Sequence, residues 1–191
     1  MSSPELSKYR QEILANLNGE ILEIGFGTGL NLPFYPTAVH KLTTVDVNPG
    51  MNVLAQRRIL ASAIKVEQRV LNGEQLPMAD NTFDHVVSTW TLCSISQVDM
   101  ALDEIYRVLK PGGTFIFIEH GLSDVPKIQV WQNRLTPLQK VIGDGCHLNR
   151  NIEALIEKHF DSVKLERFVM KDLPAIAAYT YKGTATKRAI L

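Results

Sequence analysis

The sequence predicts an α/β domain built on a doubly wound, mostly parallel sheet, and three observations carry that prediction. Short apolar runs of strand length alternate with longer stretches of helical periodicity along the chain. The first run, Ile21-Leu22-Glu23-Ile24, leads directly into glycines at 25, 27 and 29. The second ends on Asp46, 21 residues after Gly25, where a doubly wound sheet sets the tip of its second strand beside the first turn.

Composition narrows the class. The 191 residues suit one domain, 1–191, large enough to bury a core without disulfide or metal staples. A 45% hydrophobic and 21% charged content is that of a globular protein rather than a disordered one. Twenty basic residues cancel twenty acidic ones, so the chain lacks the electrostatic footprint of a nucleic-acid binder. The two cysteines, Cys93 and Cys146, have no CxxC spacing, which argues against a disulfide framework and for a reducing cytoplasm. Cys146 and His147 side by side supply two ligands, too few for a metal, and no metal is expected. The first residues lack a charged region followed by an apolar one, so no signal peptide is read there. No apolar run approaches the roughly 18 residues needed to span a bilayer. The expectation is a cytoplasmic protein without an integral membrane segment; peripheral membrane contact and oligomeric state stay open.

Taken in order, the elements follow from local chemistry. Ser3 and Pro4 suit the start of a helix within residues 1–18, whose apolar face is Leu6, Tyr9, Ile13 and Leu17. Asn18-Gly19 ends it, and packing against the sheet is its default role. Leu30, Leu32 and Phe34 suit a short helix after the glycines. Strands are expected at 42–47, 66–71, 85–88 and 114–119, with helices over 51–63 and 98–109. Ser96-x-x-Asp99 reads as a capping box for the second of these, and Lys110-Pro111-Gly112-Gly113 stops it. Beyond them stand a helix over 151–160 and strands at 162–169 and 175–181, and the tail 182–191 is expected to fray.

The glycine spacing separates two cofactor readings. A dinucleotide fold wants G-x-G-x-x-G, which from Gly25 needs a third glycine where Leu30 stands. What is present, Glu23-x-Gly25-x-Gly27-x-Gly29, resembles the first motif of class I S-adenosylmethionine-dependent methyltransferases. Asn72-Gly73-Glu74-Gln75-Leu76-Pro77-Met78-Ala79-Asp80-Asn81-Thr82-Phe83-Asp84 is similar to a segment of the quinone-biosynthesis type of these enzymes, with Asn72 in place of a more usual Asp. Arg107-Val108-Leu109-Lys110-Pro111-Gly112-Gly113 is common across the same superfamily. Trp90 to Ser94, Glu119-His120, Trp131-Gln132 and Asp144-Gly145-Cys146-x-Leu148-x-Arg150 together resemble a narrower set, the methyltransferase-like seven group of small alkyl-thiol methyltransferases.

That resemblance covers roughly residues 19–182 and implies a single Rossmann-like doubly wound sheet of about seven strands. It also implies a C-terminal antiparallel hairpin, helices on both faces, and S-adenosyl-L-methionine as cofactor. The implied cofactor site takes Glu23, Gly25, Phe26, Gly27, Thr28 and Gly29 from the turn, and Asp46 and Val47 from the second strand. Asn72 and Gly73 border the adenine, Glu74 belongs to the same cofactor-binding set, and Thr89 and Leu92 pass beneath the methionine half. Asp46 either accepts two hydrogen bonds from a ribose diol or caps the helix near Asn48-Pro49; the glycine motif upstream favours the ribose. The animal enzymes carry an N-terminal membrane anchor that this chain is not expected to share.

Candidates for the acceptor end are His120, Asp144, Cys146 and His147, of which His120 and Asp144 stand as catalytic residues. His120 follows the fifth strand, where ligands of open α/β sheets sit, and either faces the acceptor or bonds a neighbouring carbonyl. Asp144 begins a polar turn after an apolar helix, Cys93 reads as a packing residue, Cys146 as packing or pocket wall, and Trp131 as core or cap. The expected reaction is methyl transfer to a small, mostly apolar acceptor, an alkyl thiol in the first instance. Alternatives are a quinone or phenol precursor, a phospholipid head group, a non-catalytic cofactor-binding module, or an NAD-dependent oxidoreductase.

Overall fold

A computed structural model describes residues 4–189. Ser3, the expected N-cap of the first helix, and residues 190–191 of the tail lie outside them. The chain runs α1 (Pro4–Leu14), β1 (Ile21–Ile24), a 3-10 turn (Leu32–Phe34), β2 (Lys41–Asp46), α2 (Pro49–Ala61), β3 (Lys65–Val70) and β4 (Phe83–Thr89). It continues through α3 (Val98–Val108), β5 (Leu109–His120), α4 (Pro126–Ile142), α5 (Ile152–His159), β6 (Ser162–Val169), one helical turn (Ala175–Ala178) and β7 (Tyr179–Thr186).

The seven strands lie in the order β3-β2-β1-β4-β5-β7-β6. The first five pair in parallel, and β7 runs antiparallel to both β5 and β6. The order reverses between β1 and β4, the switch point where open α/β sheets bind ligands beyond their carboxyl ends. β1 is buried at all four positions and splits its side chains between the two faces. Leu22 and Ile24 join Leu102 and Ile105 of α3 and Ile152 and Ile156 of α5. Ile21 joins Leu14 of α1 and Ala55 of α2 on the other face. Each fully buried Leu or Ile contributes about 1.5–3 kcal/mol relative to exposure, so this central strand is firmly held.

Three expectations differ from what forms. The tail 182–191 does not fray from 182: Lys182–Thr186 belongs to β7 and is paired on both sides, with β5 and with β6. The strand expected at 175–181 begins at Tyr179, after the helical turn. The capping box at Ser96 does not form. Gln97 is the N-cap of α3, its own side chain makes no cap bond, and its N–H donates to Glu74 Oε1 at 2.8 Å. Of the two readings of Trp131, core or cap, its place on α4 at 54% exposure excludes core. Among the described residues no helix is long and apolar enough to cross a membrane.

Candidate active site

The turn after β1 is hooked to β2 by the Gly25 N–H, which donates to the Val45 carbonyl at 2.8 Å. Gly25 takes φ +75°, and a Cβ there would stand 1.9 Å from Thr91 Oγ1, so only glycine lets the loop after β4 close onto the turn. Gly27, at φ +54°, is different: a Cβ would meet nothing nearer than the Gly25 carbonyl at 4.0 Å. The space beside it belongs to a cavity of about 720 Å³ at the carboxyl ends of β1 and β4.

Five of the six predicted residues of the first segment line this cavity: Glu23, Gly25, Phe26, Gly27 and Thr28. Gly29 does not; a Cβ on it would face Phe26 and Leu32 in the core. Asp46 and Val47 line it from the tip of β2, and Asn72, Gly73 and Glu74 from the segment after β3. Thr89 lines it, whereas Leu92 is wholly buried and lies off it. Asp144 is on the wall beside Gly145, and His120 is not. A second cavity of about 550 Å³, between α5 and β6, contains none of the predicted residues.

The floor is a buried polar network. Glu23 is 1% exposed; Oε1 accepts from Asn31 Nδ2 at 2.8 Å and Oε2 from the Tyr35 hydroxyl at 2.7 Å. Burial pushes its carboxyl up to about 7, outweighing those two hydrogen bonds and the nearby Arg10 charge. Arg10 of α1, itself 5% exposed, donates to Asn31 Oδ1 and to Thr89 Oγ1, and its guanidinium lies 4.7 Å from the Trp90 ring centroid. Arg10 also lines the cavity, so α1 does more than pack against the sheet. The sequence carried a signal for this: Arg10 sits midway between the buried Leu6 and Leu14, a cation in an apolar i, i+4 stripe.

On the opposite rim Asp46 accepts from the Gly27 and Asn48 backbones, and Asn72 and Glu74 hold each other. Asn72 Nδ2 donates to Glu74 Oε2 at 2.9 Å, and the Glu74 N–H donates to Asn72 Oδ1 at 3.0 Å. Trp90 and Asp144, both on the wall, are non-glycine residues at φ +53° and +51°. Such conformations cost of order 1–3 kcal/mol and persist where the surroundings impose them. Trp90 is imposed upon by its N–H bond to the Ile118 carbonyl at 2.7 Å.

The far end is built from the loop after β4, the end of β5 and the turn after α4. Glu119, wholly buried, accepts from Ser88 Oγ at 2.9 Å and from the Thr91 N–H at 3.0 Å, and burial raises its carboxyl. The turn docks on the loop through the His147 N–H, which donates to the Cys93 carbonyl at 2.8 Å. Arg150 donates to the Leu92 and Ile95 carbonyls from the same side. His120 lies behind the wall, with Nε2 3.1 Å from Cys146 Sγ. The Cys93 and Cys146 sulfurs lie within 4.8 Å of each other, and this proximity pushes the Cys93 thiol up and holds the Cys146 thiol down. The expectation of too few metal ligands here rested on Cys146 and His147. His147 turns to the Cys93 carbonyl instead, and the donors that gather with Cys146 are Cys93 and His120.

An alternate-glycine turn, an acid at the tip of β2 and a cavity at the switch point define a nucleoside-binding α/β protein. A family model described as a methyltransferase domain matches residues 22–117. The thiol S-methyltransferase TMT1B of Rattus norvegicus is 41% identical over 152 residues, 76% of this chain and 62% of that protein. The thiol S-methyltransferase TMT1A of Homo sapiens is 33% identical over 175 residues, 85% of this chain and 71% of that protein. Among solved structures, the cyclase SpnF superposes at a TM-score of 0.76 with 18% identity, covering 97% of this chain and 81% of that one, a likeness of fold alone. The chain belongs to the class I S-adenosylmethionine-dependent methyltransferase family.

Proposed function

We propose that this chain methylates the sulfur of a small, mostly apolar thiol, with S-adenosylmethionine as methyl donor. The observation that carries the reading is the composition of one wall. Asp144 and Gly145, from the segment whose likeness points to thiol methyltransferases, line the same cavity as the glycine turn. The thiol S-methyltransferases of rat and man at 41% and 33% identity support it.

The cavity fits such a donor on its own terms. The open space beside Gly27 is a cradle that a Cβ would fill, and the buried Arg10 guanidinium and Glu23 carboxyl oxygens offer a cation and acceptors to an amino-acid end. When bound, S-adenosylmethionine supplies a methyl group activated on a sulfonium. In this reading Asp46 holds the ribose, while Asn72, Gly73 and Glu74 border the adenine. Thr89 and Trp90 shape the floor beneath the methionine half, and Leu92 supports that floor from behind. The catalytic candidates divide: Asp144 faces the cavity, and His120 acts, if at all, through the wall.

Alignment of donor and acceptor alone is worth about 7–11 kcal/mol, and it is what a rigid wall provides. A thiol of pKa about 8.5 needs little help from a base, so His120 is not required for proton removal. Methyl transfer to a panel of thiols tests the proposal. At subsaturating thiol the log rate rises with pH and levels near the acceptor's own pKa, and a more acidic thiol moves that inflection down with it. Transfer to a phenolic quinone precursor with none to any thiol overturns the acceptor assignment. NAD binding in place of S-adenosylmethionine overturns the whole reading.

A further inference from the structure

Behind the acceptor wall, Cys93 Sγ, Cys146 Sγ and a ring nitrogen of His120 all lie within 4.8 Å of one another. The three residues are 3%, 8% and 9% exposed. They come from three separated segments: the loop after β4, the turn after α4 and the last residue of β5. His120 Nε2 already meets Cys146 Sγ at 3.1 Å, and its Nδ1 is buried with no partner. A tetrahedral zinc, about 2.0–2.3 Å from nitrogen and sulfur ligands, holds those atoms about 3.4–3.8 Å apart. The cluster is already close to that size. Two thiols and an imidazole are a soft donor set, matched to zinc rather than to magnesium or calcium, which take oxygen ligands.

We propose that Cys93, His120 and Cys146 form a binding site for one soft divalent cation of the zinc class. Uptake forms two metal–sulfur bonds and one metal–nitrogen bond, and the thiol protons leave to solvent. Three protein ligands leave one of four coordination positions for water or another small donor. The placement gives the metal a consequence. Cys93 directly precedes Ser94 and Cys146 directly follows Gly145, and both of those neighbours line the cavity. A metal here cross-links the two loops that form the acceptor end, one residue behind its surface.

The test uses the full chain, reduced and stripped of metal, titrated with zinc against a chromophoric chelator and separately with cobalt. The expected result is one zinc per chain. Cobalt should show a near-ultraviolet thiolate charge-transfer band and the visible bands of tetrahedral coordination. Loss of an outer-sphere partner costs about 10–100-fold in affinity, so Cys93→Ser, which removes a ligand itself, should cost more. The Cys93→Ser/Cys146→Ser pair should abolish the charge-transfer band; circular dichroism and S-adenosylmethionine binding check that both variants fold. The proposal is overturned if the reduced wild-type chain yields no tetrahedral cobalt spectrum, or if the double variant binds zinc as tightly as wild type. Because the cobalt spectrum is read on the wild-type chain, misfolding of a variant does not shield the proposal.

Discussion

Asp46 Oδ2 accepts a hydrogen bond from the Gly27 N–H at 2.7 Å and so clasps the tip of β2 to the glycine turn. Its other oxygen accepts from the Asn48 N–H at 2.9 Å. An ionised carboxylate offers about four lone-pair sites, so each oxygen keeps capacity for a ribose hydroxyl. Asp46→Ala should weaken S-adenosylmethionine binding by about 1.5–3 kcal/mol, the usual worth of hydrogen bonds to a charged group. Asp46→Asn, which keeps one accepting oxygen, should fall between the two. Titration calorimetry measures both, and unchanged affinity in a folded alanine variant removes Asp46 from the ribose.

The first two glycines of the pattern should fail differently. Gly27→Val leaves packing alone, since a Cβ there meets nothing closer than 4.0 Å, but it fills the cradle. Its stability cost should be limited to the left-handed backbone, about 1–2 kcal/mol, while cofactor binding is lost. Gly25→Ala drives a methyl into Thr91 and should unfold at clearly lower denaturant than Gly27→Val. Equal destabilisation of the two, or retained affinity in Gly27→Val, contradicts this division of labour.

How much of this was readable from the sequence depended on whether the information was local. The glycine turn and Asp46 were readable because their spacing is written within one βαβ unit. The stripe of Ala101, Leu102, Ile105 and Val108 was readable because a helix repeats its own period, and all four are fully buried. Lys182–Thr186 looked like a tail because it is polar. It becomes strand because β7 lies between β5 and β6, and main-chain pairing on both sides replaces apolar side chains. Gly183 marks the place, since a Cβ there would stand 2.3 Å from the Lys164 carbonyl. The capping box failed for the same non-local reason: Glu74 takes the Gln97 N–H, and Asp99 pairs with Lys158 and His159 instead. The cluster of Cys93, His120 and Cys146 depends on strand order and had no local trace. Arg10 did have one, between Leu6 and Leu14, but the apolar face was drawn through Leu6, Tyr9, Ile13 and Leu17, which leaves Arg10 off it.

Glu23 should leave a signature in stability against pH. Its folded carboxyl titrates at about 7, above the ordinary 4.5, so the folded state holds this proton after the unfolded chain has released it. The sign follows: the contribution is fully present below about pH 4.5, is lost as pH rises to about 7, and is flat beyond. Denaturant titration of wild type against Glu23→Gln isolates it, because the glutamine cannot titrate. Relative to wild type, the glutamine variant should gain on the order of 3 kcal/mol between those limits. A constant difference between the two proteins across that window means that Glu23 stays ionised when buried.

Arg10 is the residue whose role a truncated ligand can isolate. Its guanidinium is 5% exposed, anchored on Asn31 and Thr89, and open to the cavity beside Glu23. If it receives the carboxylate of the donor's amino-acid end, Arg10→Met should remove charged hydrogen bonds worth about 1.5–3 kcal/mol. Methionine keeps an unbranched apolar stem of similar reach, which preserves much of the packing under Trp90. The control is 5′-methylthioadenosine, which shares the nucleoside and lacks the amino-acid end. Its affinity should change by less than about threefold, well inside the tenfold that 1.4 kcal/mol represents. Calorimetry with both ligands on both proteins completes the cycle. A loss confined to S-adenosylmethionine assigns Arg10 to the carboxylate. An equal loss for both ligands means instead that Arg10 only shapes the floor, and the charge pairing drawn from α1 is wrong.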